Sequence, residues 1–107
     1  MDVPEIDVEE LARRRADGAP VIDVRMPDEY EDFHVAGAQL VPLPEVPDRL
    51  DDIPRDQTVY LICKGGGRSR KATEFLLGQG YDAVNVAGGS DAWREAGHPV
   101  ATGSEAG

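Results

Sequence analysis

Apolar residues enter this chain in short runs. Pro20–Arg25 holds Val21, Ile22 and Val24, β-branched residues dense enough for a strand buried on both faces, as strands of a parallel sheet are. Gln39–Leu43, Thr58–Ile62 and Ala83–Val86 read the same way, bounded by turn residues. Helical patterns lie between them. Asp7 is a candidate N-cap, and Glu10 three residues on resembles a capping-box partner. That helix is predicted to reach about Ala16 and to stop at Asp17-Gly18. Pro27–Tyr30 reads as a helical turn with proline first. Pro44–Asp52, with Val46 and Leu50 four apart, reads as a short helix. Ser69 is predicted to start an amphipathic helix with Ala72, Phe75, Leu76 and Gln79 on one face, closed by Gly80. Ser90–Ala96 is predicted as a last helix, capped by Ser90 and ended by Gly97. His34–Ala38 reads as a loop.

Strands that alternate with helices predict an α/β layer fold with a largely parallel sheet. Right-handed crossovers put helices on both of its faces. The 107 residues suit one domain, 1–107, with its core at about 3–100 and a small, polar tail, 101–107, expected to fray.

Charge narrows the partners. The net charge is −10 and the isoelectric point near 4.4, which argues against nucleic acid and anionic membrane. Arg13-Arg14-Arg15 complements a helix carboxyl end and reads as a solvated face. One cysteine excludes an internal disulfide, and no Cys/His set has zinc spacing, so no metal is expected. The opening residues lack an apolar signal region, and no apolar run approaches the about 20 residues of a membrane span. A reducing, cytoplasmic setting is the expectation.

Against that acidic background, Lys64, Arg68, Arg70 and Lys71 form an island of positive charge. It surrounds the lone Cys63, where a strand's carboxyl end meets a helix's amino end, the place where open α/β sheets bind ligands. Gly65, Gly66 and Gly67 permit positive φ, so that consecutive N–H groups can turn inward as an anion-binding nest. A helix dipole and two flanking cations favour thiolate over thiol, and the thiolate is the nucleophile. Cations at a helix N-terminus oppose its dipole unless an anion belongs there. Cys63 is therefore expected as a nucleophile at the floor of a shallow electropositive cup. Asp23 and Arg25, at a strand's carboxyl end, read as structural, with Asp28, Glu29 and Glu31 as partners for Arg25. His34 could serve Cys63 as a base, but a hydrogen-bonded structural histidine is preferred. Trp93 reads as a core anchor.

Four stretches, in this order and spacing, resemble the single-domain rhodanese, a sulfurtransferase family. They are Val21–Arg25 with Pro27–Tyr30, His34–Ala38, Cys63–Ser69, and Ala87-Gly88-Gly89 with Ala92-Trp93. The resemblance implies a five-stranded, mostly parallel sheet flanked by helices. It implies that Cys63 accepts sulfane sulfur as a persulfide and passes it on. By position it makes Lys64, Gly65, Gly66, Gly67 and Arg68 the substrate cradle, and Asp23, Arg25 and Trp93 supporting structure. Gly67 stands where a polar residue is commoner. The implied partners are a small anionic donor such as thiosulfate, and an acceptor that is cyanide, a thiol or a protein; no cofactor is implied. Cysteine phosphatases related in fold place five residues between cysteine and arginine. Here only Lys64, Gly65, Gly66 and Gly67 intervene, which suits a sulfur atom and crowds a phosphate. The alternative is a non-enzymatic or regulatory module that docks a protein partner or relays sulfur to it.

Overall fold

A computed structural model describes residues 2–107. Its chain order is β1 (Glu5–Ile6), α1 (Val8–Ala16), β2 (Val21–Asp23), α2 (Pro27–Asp32), β3 (His34–Val35) and β4 (Gln39–Leu40). Two 3-10 helices (Leu43–Asp48 and Leu50–Asp52), β5 (Val59–Ile62), α3 (Gly67–Gly78), β6 (Ala83–Val86), α4 (Gly89–Glu95) and β7 (Val100–Ala101) follow. Five strands form one sheet in the order β1-β6-β5-β2-β4, every pair parallel. The α/β fold with a parallel sheet is as the residues predict, and its five strands are as the resemblance implies, although β1 is not among the runs that read as strands.

The two-residue period of a strand divides the core between the two faces. Val59 and Leu61 of β5 join Ile22, Ala72 and Leu76 on the face covered by α3 and the 3-10 turns. Tyr60 and Ile62 join Val21, Leu11 and Trp93 on the face covered by α1 and α4. Trp93 is fully buried, and its indole N–H donates to Pro99 O at 2.7 Å. Burial on both sides explains why β5 carries an unbroken apolar run and why β2, ending on Asp23, is buried at every position.

Several boundaries differ from the sequence expectation. Pro44–Asp52 forms 3-10 turns because Pro47 lies inside it and lacks the N–H that an α-helical ladder needs. His34-Val35, expected in a loop, pairs antiparallel with Val100-Ala101. The tail beyond is tied as well: Gly103 N–H donates to Glu31 O at 2.8 Å and Gly37 N–H to Ala106 O at 2.7 Å. Asp7 caps α1 through Glu10 N–H at 2.9 Å, but the Glu10 carboxylate does not return the bond. It accepts instead from Arg13 and Arg14. Among the described residues no helix is long and apolar enough to cross a membrane.

Candidate active site

The chain leaves β5 at Ile62, and Cys63 is the next residue. α3 begins at Gly67 rather than Ser69, so the loop is only Cys63–Gly66. Gly66 is the N-cap, at φ 113°, and is the only one of the three glycines with positive φ. That single left-handed residue turns its N–H onto the sulfur: Gly66 N–H donates to Cys63 Sγ at 3.0 Å, and the Ser69 hydroxyl lies 3.3 Å from it.

The carbonyl ends of the same loop point the other way, onto the start of α4. Ser90 N–H donates to Cys63 O at 2.8 Å and Asp91 N–H to Lys64 O at 3.2 Å. The Ser90 hydroxyl adds a bond to Cys63 O at 3.2 Å. The approach is so close that a Cβ on Gly89 would sit 2.3 Å from both carbonyl oxygens. Glycine is required there by contact, and its φ of 61° adds to the demand.

Cys63 is only 2% exposed and packs with Leu61, Ala72 and Leu76, so the expected position at the floor of a shallow cup is corrected to a buried one under the start of α3. Burial raises the thiol pKa, yet hydrogen bonds from the Ser69 hydroxyl and from the Ser69, Gly66 and Gly65 N–H groups outweigh it. The net effect is a pKa below the ordinary value, set by hydrogen-bond donors more than by Lys64 or Arg68. The expected nest of three left-handed glycines is corrected to one, Gly66, whose N–H faces the sulfur.

The cradle is less purely cationic than expected. Arg68 donates to both Glu29 carboxylate oxygens, at 2.7 and 2.9 Å. Its hydrogen bonds outweigh burial and, with one from Met26 N–H, hold the Glu29 carboxyl down to about 2. Lys64 is exposed and lines a cleft of about 130 Å³ beside Arg25, Arg94, Glu29, Asp32 and Asp91. The mouth therefore carries both signs of charge.

Asp23 and Arg25 pair with each other rather than with α2. Arg25 Nε donates to Asp23 Oδ1 at 3.0 Å, and a terminal nitrogen to Oδ2 at 2.9 Å and to Phe33 O at 2.6 Å. Both are buried, at 0% and 2% exposure. A desolvated charge at a strand end needs such a partner, and the carboxylates of α2 are not its partner. His34 does not reach Cys63. Its ring stacks on Tyr30 at 3.6 Å, Nδ1 meets Tyr30 O at 2.7 Å, and Nε2 meets Ala106 O at 3.1 Å. Among the described residues no acidic, histidine and cysteine cluster could hold a metal.

Sequence reasoning placed Ser69 only as a helix start and passed over Asn85 and Glu5. Ser69 Oγ lies 2.6 Å from Asn85 Oδ1, and Asn85 Nδ2 donates to Glu5 Oε2 at 2.8 Å. A polar residue inside the apolar run Ala83–Val86 was the available signal, since a buried amide in a central strand needs partners.

A family model for the rhodanese-like domain matches residues 7–96. The chain is 39% identical over 101 residues to a sulfurtransferase from Allochromatium vinosum, covering 92% of this chain and 94% of that one. It is 33% identical to the thiosulfate sulfurtransferase GlpE of Pseudomonas entomophila, over 83% of each. The crystal structure of a rhodanese-related protein from Thermoplasma volcanium matches at a TM-score of 0.87 and 32% identity, over 95% of this chain and 99% of that chain.

Proposed function

The chain belongs to the rhodanese-like domain family, and from that premise we propose that it is a sulfurtransferase of the thiosulfate type, working through a persulfide on Cys63. Relatives named as sulfurtransferases support sulfur transfer in general. The observation that carries the finer reading is the sulfur at the β5–α3 turn, buried yet held by Gly66 N–H and the Ser69 hydroxyl.

In the first half-reaction the Cys63 thiolate attacks the outer sulfur of thiosulfate. A new S–S bond forms, the S–S bond of thiosulfate breaks, and sulfite leaves with the bonding pair. Negative charge moves to the terminal sulfur, which backbone N–H groups of the Gly65–Arg68 turn hold as an oxyanion hole holds its oxygen. In the second half-reaction cyanide or a thiolate takes that sulfur, and Cys63 returns as thiolate. Ping-pong kinetics are expected. Lys64 attracts the donor at the mouth, and Arg68 can offer its fork only as it leaves Glu29. A reducing, cytoplasmic setting keeps Cys63 free for this cycle. The short loop leaves little room for phosphate, so turnover of an aryl phosphate is expected to be negligible.

Intact mass after thiosulfate treatment tests the reading. The expected result is a gain of one sulfur, removed by cyanide with release of thiocyanate, and absent in a folded Cys63→Ser variant. No adduct under any sulfane donor would overturn it and favour a module that docks a protein partner.

A further inference from the structure

Ser69 carries one hydroxyl proton and faces three acceptors. Asn85 Oδ1 is at 2.6 Å, Gly66 O at 3.2 Å and Cys63 Sγ at 3.3 Å. Ser69 and Asn85 are 0% and 1% exposed, so the surrounding protein must satisfy both. The direction of the Asn85 amide follows from its neighbours. Nδ2 lies 2.8 Å from Glu5 Oε2 and 3.3 Å from Gly66 O, and neither a carboxylate nor a carbonyl oxygen can donate. The end that faces Ser69 is therefore the acceptor Oδ1. Glu5 is set opposite Asn85 by the parallel β1–β6 register, and strand pairing thus fixes which end of the amide Ser69 meets.

One proton and two demanding acceptors make a competition that the sulfur's charge decides. When Sγ is neutral it is a weak acceptor, and the Ser69 hydroxyl donates to Asn85. When Sγ is a bare thiolate the hydroxyl turns to the sulfur, and Asn85 Oδ1 loses its only donor among the described residues. In a persulfide the charge lies on the terminal sulfur and Sγ is again neutral, so the hydroxyl returns to Asn85. We propose that Asn85 is a positioning residue that sets the direction of the Ser69 hydroxyl and thereby favours the sulfur-loaded form of Cys63 over the bare thiolate. The loaded-form part of this inference rests on the persulfide reading above; the competition for the proton does not.

A double-variant cycle tests it on the full chain: wild type, Asn85→Leu, Ser69→Ala and the two together. The readout is the pH dependence of Cys63 alkylation. Asn85→Leu keeps the branched shape and removes the competing acceptor; it also removes the donor to Glu5 Oε2 and Gly66 O, a loss that acts whether or not Ser69 is present. The charged groups around the Cys63–Gly66 loop are Arg68 with Glu29, the Asp23–Arg25 pair, Lys64, and Glu5 with Arg70. They are common to all four proteins and cancel in the cycle. The expected coupling is a Cys63 pKa lower by roughly 0.5–1 unit when Asn85→Leu is made with Ser69 present than when it is made with Ser69→Ala. Equal shifts in both backgrounds would overturn the proposal.

Persulfide occupancy at a fixed thiosulfate-to-sulfite ratio is read on the same proteins. Asn85→Leu is expected to lower it roughly three- to tenfold, matching the pKa coupling. Coupling in alkylation with no persulfide in any protein would refute the sulfur-transfer reading and leave the proton competition standing. Persulfide in wild type without coupling would refute the competition alone. Should Asn85→Leu fail to fold, NMR of the Asn85 side-chain amide in folded wild type serves instead. Its resonances are expected to move between the thiolate and persulfide forms more than in Ser69→Ala, and equal movement in both would overturn the proposal.

Discussion

α3 and α4 begin alike and are used in opposite ways. Each follows a strand of the same parallel sheet, and each starts from a left-handed glycine with no side-chain cap: Gly66 at φ 113° and Gly88 at φ 80°. At α3 the N-cap N–H meets the Cys63 sulfur at 3.0 Å. At α4 the N–H groups of Ser90 and Asp91 are taken by the carbonyls of Cys63 and Lys64. A peptide unit has a donor end and an acceptor end. By receiving the acceptor ends outside the loop, α4 lets the donor ends face the sulfur within it. The charges differ too. α4 carries Asp91 in its first turn, in accord with its dipole, whereas α3 carries Arg68 there, against it. Arg68 is tolerated because Glu29 lies on it and the sulfur lies near it.

The α4 end is the easier to break. In Gly89→Ala the new Cβ meets two backbone oxygens at 2.3 Å, and φ is 61°, so the loop must leave the helix. Strain and overpacking together predict a loss of about 2–4 kcal/mol in stability, read by urea unfolding. Displacement of the sulfur by an ångström predicts a fall on the order of 10²-fold in kcat/KM for thiosulfate. Gly18→Ala is the control. It has positive φ (89°) but open space around it, so a loss of about 1–2 kcal/mol with unchanged activity is expected. Equal effects of the two variants on activity would show that α4 does not set the loop.

The α3 end should respond more in reactivity than in stability. Gly66→Ala meets nothing nearer than Val86 O at 3.6 Å, so only its φ of 113° is strained, by about 1–2 kcal/mol. Relief of that strain rotates the residue 66 N–H away from the sulfur. The Cys63 pKa is expected to rise, and alkylation at neutral pH to slow several-fold. An unchanged rate–pH profile would mean that the Gly66 N–H does not stabilise the thiolate.

Parts of this contrast were written in the sequence. Val59–Ile62 before Cys63 and the glycines after it announced a strand, a tight turn and a helix, because β-branched runs and glycine act locally. The acceptor role of α4 was not legible. Gly89 and Lys64 are far apart in the chain, and nothing local says that one must be glycine because the other's carbonyl lies on it. The same applies to Arg68 with Glu29, 39 residues apart, and to Asn85 with Glu5, 80 apart. Even the Asp23–Arg25 pair was misjudged, although positions two apart on a strand share a face. The acidic residues of α2 lie close by in sequence and offer competing partners that only the folded chain sets aside. The antiparallel pair β3 and β7 escaped notice because two-residue strands have no period to read.

The smallest effect concerns the charge that reconciles α3 with Arg68. Glu29 titrates near 2 in the folded protein against an ordinary value of 4.5, chiefly through its hydrogen bonds from Arg68. A depressed carboxyl stabilises the fold above the unfolded value and loses that contribution as pH falls through the folded one. The window is therefore from about 4.5 down to about 2. Both side chains are partly exposed, Arg68 at 37% and Glu29 at 28%, so solvent screening cuts the contribution to about 1 kcal/mol or less. Glu29→Gln is expected to be less stable than wild type by that amount at pH 7. The gap should narrow as pH falls below 4.5, and shrink in high salt at neutral pH. Unfolding free energies at pH 7, 4 and 3 decide it. A gap independent of pH would mean that Glu29 supports Arg68 through hydrogen-bond geometry alone. The cation at the start of α3 would then owe its place to the sulfur anion rather than to the carboxylate.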